Sequence, residues 1–122
     1  TLKILNAPGH TPDSLMLWDE QSDLLFAGDY IYDGLLYAML PGSDLDDYEQ
    51  TAARLLSIIN DTTRLLTAHR ESTSGAPILA RDDLLDLHQA LQKINRGDLK
   101  GEGWFSKTYK INQRLSLASD QY

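Results

Sequence analysis

The sequence contains no cysteine in its 122 residues. A disulfide framework and a thiolate metal site are therefore both excluded, and any metal on this chain must be held by imidazole or carboxylate. Positive charge is also scarce: 11 Lys and Arg stand against 18 Asp and Glu, a net charge of -7. Nucleic acid and anionic membrane surfaces both call for a basic stripe, so neither is expected as a partner. A local basic patch around a small anionic substrate stays compatible with that balance. No apolar run approaches the about 18–20 residues of a membrane span. No basic-then-apolar leader opens the chain. Its first residue is Thr rather than Met, which reads as a trimmed piece, and the lack of cysteine fits a cytoplasmic location.

What is present is ordinary for a globular chain: 42% hydrophobic and 24% charged residues. Residues 1–122 are read as one unit with an α+β fold, a mixed sheet with helices on one face. Leu2–Leu5, Ser14–Trp18 and Leu24–Ala27 read as strands. The last two flank the polar turn Asp19–Asp23 and form a hairpin. The stretch from Asp29 to Gly42 reads as a loop. Ser43-Asp44-Leu45-Asp46 resembles a capping box that opens a helix with Tyr48, Ala52, Leu55, Leu56 and Ile59 on one face. Thr63–Ala68 reads as a fourth strand. Asp82–Asn95 reads as a second helix, ended by Gly97, with Leu84, Leu87, His88, Leu91 and Ile94 on one side. One or two strands are expected between Trp104 and Leu117.

The hairpin strands Leu15-Met16-Leu17-Trp18 and Leu24-Leu25-Phe26-Ala27 are apolar without alternation, the mark of strands covered on both faces. Two helices can cover one face only. The other face, about four strands wide and about 17 Å long, is roughly 300 Å². Leaving it in water forgoes about 8 kcal/mol, comparable with the whole stability of a domain. A missing layer is therefore expected, either another part of a parent chain or a second copy.

Three short segments end apolar runs with residues that bind metals: Ala7-Pro8-Gly9-His10-Thr11-Pro12-Asp13-Ser14, Ala27-Gly28-Asp29 and Thr67-Ala68-His69. His10 precedes one hairpin strand and Asp29 follows the other, so both fall at one end of the hairpin. His69 joins them if the fourth strand runs parallel to the third. Imidazole and carboxylate suit zinc, manganese or iron. Taken singly, each segment is a common turn or strand end, and only the ordered set points to a metal.

In that order the segments resemble motifs of the metallo-β-lactamase superfamily. Ala-Pro-Gly-His10-Thr-Pro-Asp-Ser-Leu is similar to its third metal motif, Leu-Leu-Phe-Ala-Gly-Asp29 to its fourth and Leu-Leu-Thr-Ala-His69 to its fifth. The resemblance covers roughly residues 2 to 96. It implies the C-terminal half of a four-layer αββα sandwich. It also implies a zinc-dependent hydrolase with two metal ions in the intact parent. His10 would bind the first metal, Asp29 would bridge both and His69 would bind the second. A bridging hydroxide would attack a thioester or ester carbonyl. The family's His-x-His-x-Asp-His motif is absent here, since the histidines are His10, His69 and His88 only. The chain alone is therefore expected to bind zinc weakly, to be inactive, and to pair with the missing N-terminal half or with itself. His88, on the apolar face of its helix, is read as a core or cleft-edge residue.

The stretch Gly28-Asp29-Tyr30-Ile31-Tyr32-Asp33-Gly34, with Leu40-Pro41 and Asp47-Tyr48, is similar to a subgroup that includes acyl-coenzyme A thioesterases. The substrate implied is a small-molecule acyl thioester or ester. Tyr32 and Tyr37 are candidates to line the substrate cleft, with packing of the loop onto the core as the competing role. Arg70 is a candidate to meet an anionic substrate. A lactonase or β-lactamase, and a non-catalytic half-fold that serves assembly, are the other readings.

Overall fold

The computed structural model describes residues 2–38, 42–67, 78–103 and 106–120. The element order is β1 (Leu2–Asn6), β2 (Leu15–Asp19), β3 (Leu24–Gly28), β4 (Gly34–Ala38), α1 (Leu45–Ile58), β5 (Arg64–Thr67), β6 (Ile78–Ala80), α2 (Arg81–Arg96), β7 (Lys107–Lys110) and β8 (Leu115–Ser119). The strands form a five-stranded sheet, β1-β2-β3-β5-β6, and a three-stranded sheet, β4-β8-β7. The architecture is α+β, as the sequence predicts.

The expected hairpin forms. β2 and β3 pair antiparallel, with Asp19 opposite Leu24. Asp23 takes a left-handed conformation in its turn (φ 58°). Its carboxylate accepts from Thr62 Oγ1 at 2.5 Å and from the Thr63 hydroxyl, which ties the turn to the segment before β5. β5 then runs parallel to β3, a pairing that needs a crossover connection such as the one α1 provides.

Burial alternates along the hairpin strands. Met16, Trp18, Leu25 and Ala27 point inward and join one core with Leu65, Leu79 and the inner faces of both helices. The opposite face is apolar but uncovered. Ile4, Leu17, Phe26, Leu66 and Ile78 lie in one row across all five strands by pairing register. On that face Ile4 is 69% exposed, Leu15 56% and Phe26 38%. The uncovered side anticipated from the continuous apolar strands is thus present.

α1 starts at Asp44, whose side chain accepts from the Asp47 N–H at 2.9 Å. The cap is therefore Asp44 rather than the Ser43 capping box expected. Ser43 instead turns its hydroxyl to a carbonyl of the His10 loop. α2 ends at Gly97, whose φ of 77° supplies the left-handed turn that the sequence predicts. At its start, buried Asp83 accepts from the Ala80 N–H at 3.0 Å, from Asn112 Nδ2 at 3.2 Å and from Arg114 Nη2 at 2.5 Å. This cluster pins the β7–β8 turn to α2.

Two strands depart from the sequence reading. β4 occupies part of the stretch expected to be loop. Its Leu36 and Ala38 are buried, and it pairs parallel with β8. β6 is three residues long and pairs antiparallel with β5.

Candidate functional site

His10 and Asp29 line one pocket of about 280 Å³, together with Thr11, Ser14, Ala27 and Tyr30. They meet because β2 and β3 are antiparallel: one residue enters the hairpin and the other leaves it. The β3–β5 pairing slips between Phe26 and Gly28, and Gly28 has φ 58°. A bulge followed by a left-handed glycine re-aims the chain at the position from which Asp29 projects.

The His10 loop is clamped by the beginning of α1. Three successive carbonyls accept hydrogen bonds from it: Pro8 from Thr51 Oγ1 at 2.7 Å, Gly9 from the Asp44 N–H at 3.0 Å, and His10 from Ser43 Oγ at 2.6 Å. The imidazole is fixed as well. His10 Nδ1 lies 2.7 Å from the Tyr37 carbonyl. A carbonyl can only accept, so Nδ1 is the donor, and in the neutral imidazole this leaves the lone pair on Nε2. A backbone carbonyl on one imidazole nitrogen is a common support for a metal ligand on the other.

Tyr48 serves both halves of the site. Gly9 packs so closely on it that a Cβ there would lie 2.7 Å from the Tyr48 Cα, and Gly9 has φ 146°. On the other side the Tyr48 ring meets Tyr30 at 4.5 Å between centroids. The Tyr30 hydroxyl donates to the Tyr48 carbonyl at 2.5 Å, and the Tyr48 hydroxyl donates to the Tyr30 carbonyl. Burial pushes both phenols well above their usual pKa. For Tyr48, neighbouring Tyr32 and Asp29 raise it further. Both hydroxyls therefore remain neutral donors. One helix residue thus locates the residue before His10 and the residue after Asp29. The sequence places Tyr48 on a helix face and in the Asp47-Tyr48 pair that resembles the thioesterase subgroup, and neither feature signals this part. Gly9 followed by His10 was the available signal, because a glycine at a ligand loop marks close backbone approach.

The tyrosines of the loop divide. Tyr32 is buried, with its hydroxyl on the Leu35 carbonyl, which is the packing role. Tyr37 is 42% exposed and holds His10 through its backbone. His88 is half-buried on α2. His69 and Arg70 lie outside the described residues. β5, which leads to them, is parallel to β3, and its Thr67 pairs with Gly28 at the edge where Asp29 begins.

The donor chemistry of His10 and Asp29 fits a zinc, iron or manganese ion. Hydrolytic zinc sites use three protein ligands. Among the described residues no third His, Cys, Asp or Glu completes the set. No helix among them is long and apolar enough to cross a membrane.

The family model of the metallo-beta-lactamase superfamily matches residues 1–69. The human acyl-coenzyme A thioesterase MBLAC2 is 39% identical over 82 residues, which cover 66% of this chain and 29% of that protein. The bovine acyl-coenzyme A thioesterase MBLAC2 matches equally. The match thus spans less than a third of the length of these relatives. Among solved structures, TTHA1623 in a di-iron-bound form aligns with a TM-score of 0.55 at 27% identity, over 66% of this chain and 38% of that one. ETHE1 from Myxococcus xanthus aligns with a TM-score of 0.59 at 19% identity, over 74% and 39% respectively, and shows the shared fold. The chain belongs to the metallo-β-lactamase superfamily.

Proposed function

We propose that this chain is the C-terminal part of a zinc-dependent hydrolase that cleaves a small acyl thioester or ester, with His10, Asp29 and His69 as its share of the metal ligands. The observation that carries the reading is the meeting of His10 and Asp29 in one pocket, with the His10 tautomer set by the Tyr37 carbonyl. The thioester preference rests on the likeness to the acyl-coenzyme A thioesterases.

When bound, the metals would lower the pKa of water towards about 7 and polarise the scissile carbonyl. The chain's own residues would do the rest. His10 presents Nε2, and Asp29 presents a carboxylate at the pocket. Tyr48 and Tyr30 hold both loops still, and Tyr37, whose carbonyl holds His10, is proposed to line the cleft for the acyl group or its leaving thiol. Arg70 is proposed to meet an anionic portion of the substrate.

In the intact parent, His10→Ala and Asp29→Ala should each lower acyl-coenzyme A hydrolysis by about 10³-fold or more, the effect of losing several kcal/mol of metal-based stabilisation. Activity within a few-fold of wild type in both variants would refute the reading. This chain alone should show no thioester hydrolysis and less than stoichiometric zinc after dialysis. Stoichiometric zinc that survives dialysis would contradict the proposed weak zinc binding of the half and its reading as a non-catalytic module. Zinc-free parent protein with no hydrolysis in wild type or in either variant would favour an assembly module.

A further inference from the structure

The chain is acidic, yet four of its five lysines fall between residues 93 and 110. The structure gathers them along one groove. Ile94, Leu99, Lys100, Lys107 and Tyr109 line a pocket of about 280 Å³. It adjoins, through Leu99, a second pocket of about 130 Å³ lined by Lys93, Lys110 and Ile111, with Asp86 as its carboxylate. Lys107 Nζ donates to the Gly103 carbonyl at 2.9 Å. Among the described residues Lys93, Lys100 and Lys110 enter no ion pair. A groove with an apolar and aromatic floor and a cationic rim is suited to a ligand that is flat at one end and phosphorylated.

Its position relates it to the His10 edge by two routes. Through the helices, Asn95 Nδ2 donates to the Leu45 carbonyl at 3.3 Å, beside the Ser43 and Asp44 that clamp the His10 loop. Through the smaller sheet, Lys107 pairs with Ser119, and Ser119 pairs with Ala38. Tyr37, next to Ala38, holds His10. β7 therefore lies two strand spacings, about 10 Å, from β4. The arm between the thioester and the diphosphate of an acyl-coenzyme A has roughly a dozen bonds and reaches about 15 Å when extended.

We propose that the groove of Lys93, Lys100, Lys107 and Lys110 is the subsite for the phosphorylated nucleotide end of a coenzyme A thioester. The base lies over Leu99 and Tyr109, and the phosphates are met by the lysines. This rests on the thioesterase reading above and names how the substrate's remote end is held. It would also let an acidic chain accept an anionic substrate without a basic face at the metal edge.

The test is calorimetric titration of this chain with coenzyme A, with pantetheine and with inorganic phosphate, for wild type, Lys100→Ala/Lys107→Ala and Lys93→Ala/Lys110→Ala. Coenzyme A should bind and pantetheine should not, and each double variant should weaken coenzyme A about tenfold or more. Equal binding of coenzyme A and pantetheine, or affinity unmoved by both double variants, would overturn the subsite. So would displacement of coenzyme A by equimolar inorganic phosphate, which would mark a simple anion patch. Hydrolysis by the intact parent separates this idea from the thioesterase reading. The variants should raise KM for the acyl-coenzyme A about tenfold and leave the same acyl group on N-acetylcysteamine unaffected. An unchanged KM for both substrates sinks the subsite alone. Coenzyme A binding with no hydrolysis of either substrate sinks the thioesterase reading alone.

Discussion

Tyr48 is the residue on which the site depends most, because it touches both ligand loops. Removing its hydroxyl in Tyr48→Phe leaves the buried Tyr30 carbonyl without that donor. Denaturant unfolding should show a loss of about 1–2 kcal/mol, and an unchanged midpoint would mean the bond contributes nothing. Gly9→Ala should cost more, about 2–4 kcal/mol, since it combines a φ of 146° with a Cβ pressed on the Tyr48 backbone. His10 and Asp29 were legible in the sequence because metal ligands at strand ends have recognisable neighbours. Tyr48 was less so, since a helical tyrosine between apolar positions looks like core until the loop packed against it is known. Tyr32 and Tyr37 looked equivalent in the sequence; the pairing of β4 with β8 leaves Tyr37 outward between buried Leu36 and Ala38, while Tyr32, ahead of that strand, is buried with its hydroxyl on the Leu35 carbonyl.

At the scale of elements, two polar clusters set how the pieces dock. Asp83 is buried and bonded to Ala80, Asn112 and Arg114. Asp83→Ala should destabilise by about 2–3 kcal/mol, with the half-exposed Arg114 relieving part of the loss. Thermal melting with an unchanged midpoint would contradict the role given to it. Asp23 ties the hairpin turn to the approach to β5. Hydrogen bonds from Thr62 first, and then from Thr63, hold its pKa below the usual 3.8. Its contribution is therefore present at neutral pH and is lost as pH falls below about 4 through the lowered value. Asp23→Asn should flatten the fall in stability below pH about 4, and a profile parallel to wild type would remove Asp23 from the acid transition. The hairpin, both helices and the Gly97 stop were readable locally, from apolar runs, helical spacing and a glycine terminator. β4 was hidden because glycine, tyrosine and proline surround it and its partner β8 is about eighty residues away in sequence. β6 is too short to have a pattern.

The whole molecule has two helices on one side of its larger sheet and a bare apolar row on the other. Covering that row is worth several kcal/mol at about 25 cal/mol per Å². We propose that the N-terminal half of the parent covers it. The isolated chain should then self-associate or bind a hydrophobic dye through this face, and Ile4→Lys/Leu17→Lys should reduce both. Sedimentation of wild type as a dye-negative monomer would contradict this. The uncovered side was foreseeable because Leu15-Met16-Leu17-Trp18 does not alternate. Its occupant was not, because among the described residues nothing covers Ile4, Leu15 and Phe26.

The most direct test of the central claim is metal stoichiometry of the intact parent after dialysis, compared between wild type and the Asp29→Ala variant, with acyl-coenzyme A hydrolysis followed on the same samples. Bound metal should fall in the variant and hydrolysis should fall with it by about 10³-fold or more. Undiminished metal and undiminished hydrolysis in Asp29→Ala would contradict the assignment of His10 and Asp29 as the chain's share of a hydrolytic metal site.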